Sequence, residues 1–156
     1  MTQPTPLKTE FLCTMQIYVV HSHILKDIPS GERRRIDVFG EGTVSGPRLN
    51  GTVMPGGADA LLTRKDGSLT PDVRLVIRTH DDGLIFVQYK GIRHGKPDIM
   101  ARIAAGENVD PEEYYLRNAL FFETSSGPYD WLNHIVAIGV GRREPDCAVY
   151  DVYEIL

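Results

Sequence analysis

Four charged residues at short spacing, Asp59, Arg64, Asp72 and Arg74, lie in the stretch Gly40 to Leu75. If the segment is a strand, Asp72 and Arg74 are one pleat repeat apart, about 6.5–7 Å, and share a face. On a face turned into a barrel they must pair with each other, with water or with a ligand, because an unpaired buried charge is too costly. Tyr115, Arg117 and Glu123 repeat the theme on one parity of a later segment. Tyr129, Trp131 and Asn133 add an aromatic wall and an amide. Apolar and aromatic walls with a few convergent polar groups make small-molecule sites. In such a pocket Asp59 or Glu123 would be the acid–base catalytic group, and Arg74 and Arg117 would stabilise an anion. Asp72, Tyr115, Trp131 and Asn133 complete the expected ligand-binding set. The competing reading is an internal salt-bridge network around a dry core.

Other chemistries find less support. No serine or cysteine stands beside a histidine in a way that suggests covalent catalysis. Gly40-Glu41-Gly42 with Gly46 is not a phosphate loop, because Val44, Gly46 and Pro47 follow where a long helix would have to start. His21 and His23 share a strand face, but His80, His94 and His134 stand in unrelated contexts, so no metal site is expected. No cofactor is expected either. A net charge of -4 and a pI near 5.7 argue against a sequence-independent nucleic-acid binder, which needs a cationic face. Arg33-Arg34-Arg35 alternates faces in a strand and reads as a solvated turn plus one structural ion pair. Cys13 and Cys147 form no Cys-x-x-Cys motif and are expected to be reduced and buried. With no apolar leader and no 18-residue apolar run, no membrane partner is expected and the chain reads as cytoplasmic.

The elements that must position these groups are strands. At 156 residues the chain is expected to be a single domain over residues 1–156, with 1–6 a frayed tail. Phe11, Cys13, Met15, Ile17 and Val19 alternate with polar neighbours, a period of two. Val73, Leu75 and Ile77 alternate against Asp72, Arg74, Val76 and Arg78. Asp66-Gly67 and Asp82-Gly83 mark hairpin turns. Glycines at 40, 42 and 46 suggest coiling or close approach of another backbone. Helical spacing is confined to Pro97–Glu107, and Asp110-Pro111-Glu112-Glu113 starts a single further turn. Trp131 to Gly141 reads as a strand. The expected fold is all-β: one antiparallel β-barrel with one or two short helical turns, since closure removes edge strands.

The succession Gly42-Thr43-Val44-x-Gly46-Pro47-x-Leu49-x-Gly51-x-Val53-x-Pro55-Gly56-Gly57-Ala58-Asp59 is distinctive. With Arg64-x-Asp66-Gly67, Asp72-Val73-Arg74, Asp81-Asp82-Gly83, Tyr114-Tyr115-x-Arg117, Phe122-Glu123-Thr124 and Trp131-Leu132-Asn133, it resembles domain-of-unknown-function family 3237. That family is also known as uncharacterised protein family 0311. The resemblance spans about residues 8 to 156. It implies a barrel in the style of allene oxide cyclase and lipocalins and supplies no catalytic residues.

Two functions follow as expectations. One is a small-molecule-binding barrel, or a cofactor-independent isomerase or cyclase acting on a small, largely apolar metabolite. An interior pocket of about 300 Å³ or more lined by Asp59, Arg74, Glu123 and Trp131 would favour it. The other is a non-catalytic structural or interaction protein with a packed barrel, assembling as a homo-oligomer.

Overall fold

A computed structural model describes every residue from Met1 to Leu156. Twelve strands form one sheet: β1 (Thr9–Ile17), β2 (Val19–Ile28), β3 (Gly31–Phe39), β4 (Gly42–Ser45), β5 (Gly51–Val53), β6 (Ala58–Thr63), β7 (Leu69–Thr70), β8 (Asp72–Thr79), β9 (Leu84–Gly95), β10 (Tyr114–Thr124), β11 (Ala137–Arg143) and β12 (Ala148–Ile155). Every pairing is antiparallel. The ring runs β10, β11, β12, β1, β4, β5, β8, β9 and closes where β9 pairs with β10 from Gly95 opposite Tyr114 to Ile85 opposite Thr124. The barrel is therefore closed, as expected.

Closure demands close backbone approach, and glycines permit it. A Cβ on Gly42 would strike the carbonyl oxygen of Gln16, and one on Gly51 that of Arg78. The glycine-rich stretch is thus where β4 and β5 press against their neighbours.

Strand parity is decided by the apolar set. Leu12, Met15, Leu75, Ile77, Val87 and Leu120 are all fully buried in the lumen. In β8 this places Val73, Leu75 and Ile77 inside and turns Asp72, Arg74 and Arg78 outward. Burying an aliphatic side chain gains about 1.5–3 kcal/mol, whereas burying an arginine without a partner costs more than that. The expectation that Asp72 and Arg74 face the lumen is corrected on this ground.

One helix, α1 (Pro97–Ala104), packs Ile99 and Ile103 over one end of the barrel. A 3-10 turn at Pro111–Glu113 is capped by Asp110, which accepts the Glu112 N–H at 3.0 Å. Asp130–His134 is a second 3-10 turn, where strand was expected from Trp131. The Asn133 amide binds both the N–H and the carbonyl of Thr124, which ties the segment down as a tight turn. No helix is long and apolar enough to cross a membrane.

A candidate site at the end of the barrel

Beyond Asp59, β6 parts from β8; the two pair only at Ala58 and Asp59. The short β7 fills the gap, pairing with β6 and with Arg93 of β9. From there β6, β3 and β2 extend past the ring as a curled flap. The flap's register sets Asp37 directly opposite Asp59. Two carboxylates on one face of adjacent strands repel, and a sheet retains such a pair only where something compensates.

The compensation is unequal. The Asp37 carboxylate is held by Arg35 Nε at 2.8 Å and by the Ser22 hydroxyl at 2.6 Å. Asp59 Oδ1 accepts only the backbone N–H of Asp72, at 2.9 Å. Burial pushes the Asp59 pKa up to about 6, opposed by the Asp72 N–H and reinforced by the charge of Asp37. The two carboxyl groups stand at facing register positions but in different surroundings, Asp37 held by an arginine and a hydroxyl and Asp59 by one backbone N–H.

The lumen around this pair carries further polar groups. Tyr89 and Tyr150 are buried, with ring centroids 5.5 Å apart. Burial drives both phenol pKa values upward, so both hydroxyls stay protonated donors. The Asn118 amide lies close enough to Tyr150 to offset part of its shift, yet neither of its polar atoms reaches hydrogen-bond geometry. Arg93 projects from β9, its pKa lowered to about 10 by burial and then by the neighbouring Arg143. Its Nε is shielded and has no partner.

Two spaces adjoin here, sharing three arginines in their walls. The inner chamber, about 40 Å³, is bounded by Asp37, Asp59, Tyr89, Tyr150 and Leu116. A space of that size accommodates water or the reacting end of a ligand. The outer vestibule, about 400 Å³, is walled by Arg33, Leu69, Met100 and Ile103. Arg35, Arg93 and Arg143 line both.

Of the residues singled out in the sequence, only Asp59 faces this chamber. Asp72 and Arg74 lie outside the barrel, 3.5 Å apart, with Lys90 3.9 Å from Asp72. Tyr115 and Arg117 are also outside, the guanidinium 5.2 Å from the ring centroid. Glu123 is exposed opposite Phe86 on the same outer wall. Trp131 stacks under Arg48 at 4.2 Å, at the end of the barrel where Arg48 also pairs with Glu154. Asn133 is spent on Thr124. No pocket joins Asp59 to Arg74, Glu123 and Trp131, because their strands put them on opposite sides of the wall or at opposite ends. His21 and His23 meet edge to face on the exposed β2, ring centroids 4.4 Å apart, and no group of three or more His, Cys, Asp or Glu is arranged to hold a metal ion.

Arg93, Arg143, Tyr89, Tyr150, Asn118 and the Arg35–Asp37 pair were missed. A signal existed for Arg93. Ile85, Val87 and Tyr89 share its parity in β9, so the period of two that buries them also turns it inward.

The family model described as "Protein of unknown function (DUF3237)" matches residues 7–155. The chain belongs to the DUF3237 family. A UPF0311 protein of Rhodopseudomonas palustris is 31% identical over 150 residues, 96% of this chain and 97% of its own. Its crystal structure superposes with a TM-score of 0.93 at 30% identity, covering 99% of this chain and 100% of that one. A β-barrel-like protein of Acinetobacter baumannii is 33% identical, with a TM-score of 0.86 and complete coverage of both chains. The hydroalkoxylation enzyme phnH of Penicillium herquei is 30% identical over 139 residues, 88% of this chain and 76% of its own.

Proposed function

We propose that this DUF3237 protein is a cofactor-independent acid–base enzyme of the isomerase or cyclase type, acting on a small molecule held at the flap end of its barrel. The observation that carries this reading is the Asp37–Asp59 pair: one carboxylate is anchored by Arg35, and the other is free to exchange a proton near pH 6. Asp59 is the proton-transfer group, and Tyr89 and Tyr150 offer hydroxyls to a developing oxyanion. The vestibule receives the body of the substrate against Leu69, Met100 and Ile103. Its volume is within the range of small-molecule pockets, about 300–1,000 Å³.

The relative's named reaction fits this equipment. Hydroalkoxylation adds an O–H across a carbon–carbon double bond, breaking the O–H and π bonds and forming one C–O bond and one C–H bond. The hydroxyl loses the proton that a carbon gains, so where both groups belong to one molecule the sum is an isomerisation that needs only proton transfer. A carboxyl group with a pKa near 6 can give a proton at one carbon and later recover one from oxygen.

A metabolite library screened by thermal shift identifies ligands, and hits are then followed for turnover. The expected result is a product isomeric with its substrate and a rate with an inflection near pH 6. Asp59→Asn should lower kcat by about 10²–10⁴-fold. Ligands that bind without turnover at any pH would leave a binding barrel instead.

A second reading concerns assembly. β2 pairs only with β3, and Val20, Ile24 and Leu25 are at least half exposed along it. An open edge strand of ten residues that carries these exposed apolar side chains is a template for pairing with another strand. We propose a second copy of this chain as the occupant, giving a homo-oligomer through β2. This reading is compatible with an enzyme, and sedimentation tests it independently.

A further inference from the structure

We propose that the substrate of this site is an organic anion whose carboxylate, phenolate or enolate oxygen is gripped between Arg93 and Arg143, with its apolar body in the vestibule. The proposal builds on the acid–base reading, naming the class of molecule that Asp59 would act on.

Charge is unmatched around the inner chamber. Arg35, Arg93 and Arg143 converge on the inner chamber, facing Asp37 and Asp59. The only ion pair formed among these five is Arg35 with Asp37. Arg143 engages its surroundings through its backbone N–H, which donates to the Tyr114 hydroxyl at 2.7 Å. Its guanidinium has no carboxylate partner. Arg93 Nε is shielded from solvent and donates to nothing. Guanidinium donors left unpaired in a partly dry space are costly, and a bidentate oxyanion is the group that matches their planar fork. Burial lowers the affinity of Arg93 for its proton, and the like charges of Arg143 and Arg35 lower it further. An anion between Arg93 and Arg143 relieves both costs.

Asp59 does not fill that role. It is committed to the Asp72 N–H, and burial favours its neutral form. With a pKa of about 6 it is largely ionised at pH 7.5, and three guanidiniums facing two carboxylates still leave the chamber net cationic. Arg33 adds a further positive charge at the outer wall. The apolar surfaces of Leu69, Met100 and Ile103 are turned to the same vestibule. A cationic grip next to an apolar wall selects an amphipathic anion over a hydrophilic one such as phosphate.

Benzoate, benzamide and inorganic phosphate serve as probes in calorimetric titrations of the full chain at low ionic strength and pH 7.5. Benzoate is expected to bind, and benzamide, its neutral counterpart, to bind about tenfold more weakly or worse. Phosphate should bind more weakly than benzoate. Arg93→Gln and Arg143→Gln should each weaken benzoate by about tenfold or more, whereas Lys90→Gln on the outer wall should leave it unchanged. Should Arg93→Gln fail to fold, Arg143→Gln carries the test alone, with its thermal unfolding measured alongside. Equal affinity for benzoate and benzamide, retention of benzoate affinity in the folded arginine variant, or binding of neither probe would overturn the proposal. Asp59→Asn separates the two ideas, since it should retain or tighten benzoate binding. Loss of the pH 6 inflection in that variant with no benzoate preference in the wild type would sink the substrate class and spare the acid–base reading. Benzoate binding with an inflection that survives Asp59→Asn would do the reverse.

Discussion

At the residue scale, a carboxyl group kept from water opposite another carboxylate changes the pH dependence of folding as well as reactivity. Asp59 has a folded pKa of about 6 against an ordinary value of 3.8. The folded state therefore binds its proton more tightly than the unfolded chain does. Stability from this group is fully present below about pH 4 and is lost as pH rises through about 6. Asp59→Asn removes the titration while keeping an oxygen for the Asp72 N–H. It should stabilise the protein at pH 8 by up to about 3 kcal/mol and make little difference near pH 4. Denaturant unfolding at the two pH values checks this. Gly91 gives a second prediction. A Cβ there would strike the Asn118 side chain and the carbonyl oxygen of Arg117. Backbone cannot yield as a flexible side chain would, so Gly91→Ala should cost about 1–3 kcal/mol in the same assay.

At the element scale, α1 and the flap of β2, β3 and β6 define the site without belonging to the ring. The helix is held by Ile99 and Ile103, and Ile103 also walls the vestibule. Ile103→Ala should destabilise by about 2 kcal/mol, the low end for such truncations, because the helix is short and peripheral. Any vestibule ligand should bind that variant more weakly than the wild type, a difference that titration reads directly. On β2 the effect divides differently. Ile24→Lys and Leu25→Lys replace exposed side chains and should change stability by no more than about 0.5 kcal/mol. Sedimentation velocity should nonetheless show them monomeric at concentrations where the wild type associates through this edge. Wild-type protein that is monomeric at all concentrations would remove the assembly reading.

At the scale of the whole molecule, closure places the first strand beside the last. Cys13 in β1 and Cys147 before β12 are both free and buried. Burial and the nearby Asp151 push the Cys13 pKa up to about 12, and Cys147 is raised as well, chiefly by burial. Native protein should therefore not react with Ellman's reagent at pH 8 on the timescale of minutes. Labelling should track global unfolding, because Cys13 can be reached only by opening the barrel wall. Fast labelling of two thiols under native conditions would show that β1 and β12 separate readily.

How much of this was legible in the residues depends on the range of the interaction involved. Alternation, Asp-Gly turns and the glycine-rich corner act within a few positions. They were sufficient for an antiparallel barrel, for the helical turns near residues 97 and 111, and for the family. Which face of each strand points inward is also settled locally when one parity is apolar, as in β8. Weighing Val73, Leu75 and Ile77 against Asp72, Arg74 and Arg78 settles that strand by burial energy alone. The expected site failed there because shared parity within one strand was taken for a shared pocket. Convergence is decided between strands. Asp37 meets Asp59 only through the β3–β6 register, and Arg93 meets Arg143 only because β9 and β11 flank β10. The stretch from Gly40 to Leu75 does contribute Asp59, but the partners that raise its pKa and the arginines around it come from β3, β9 and β11. Local chemistry determined the wall of this protein, and the closing of the ring, with the flap that curls past it, decided where the wall becomes a site.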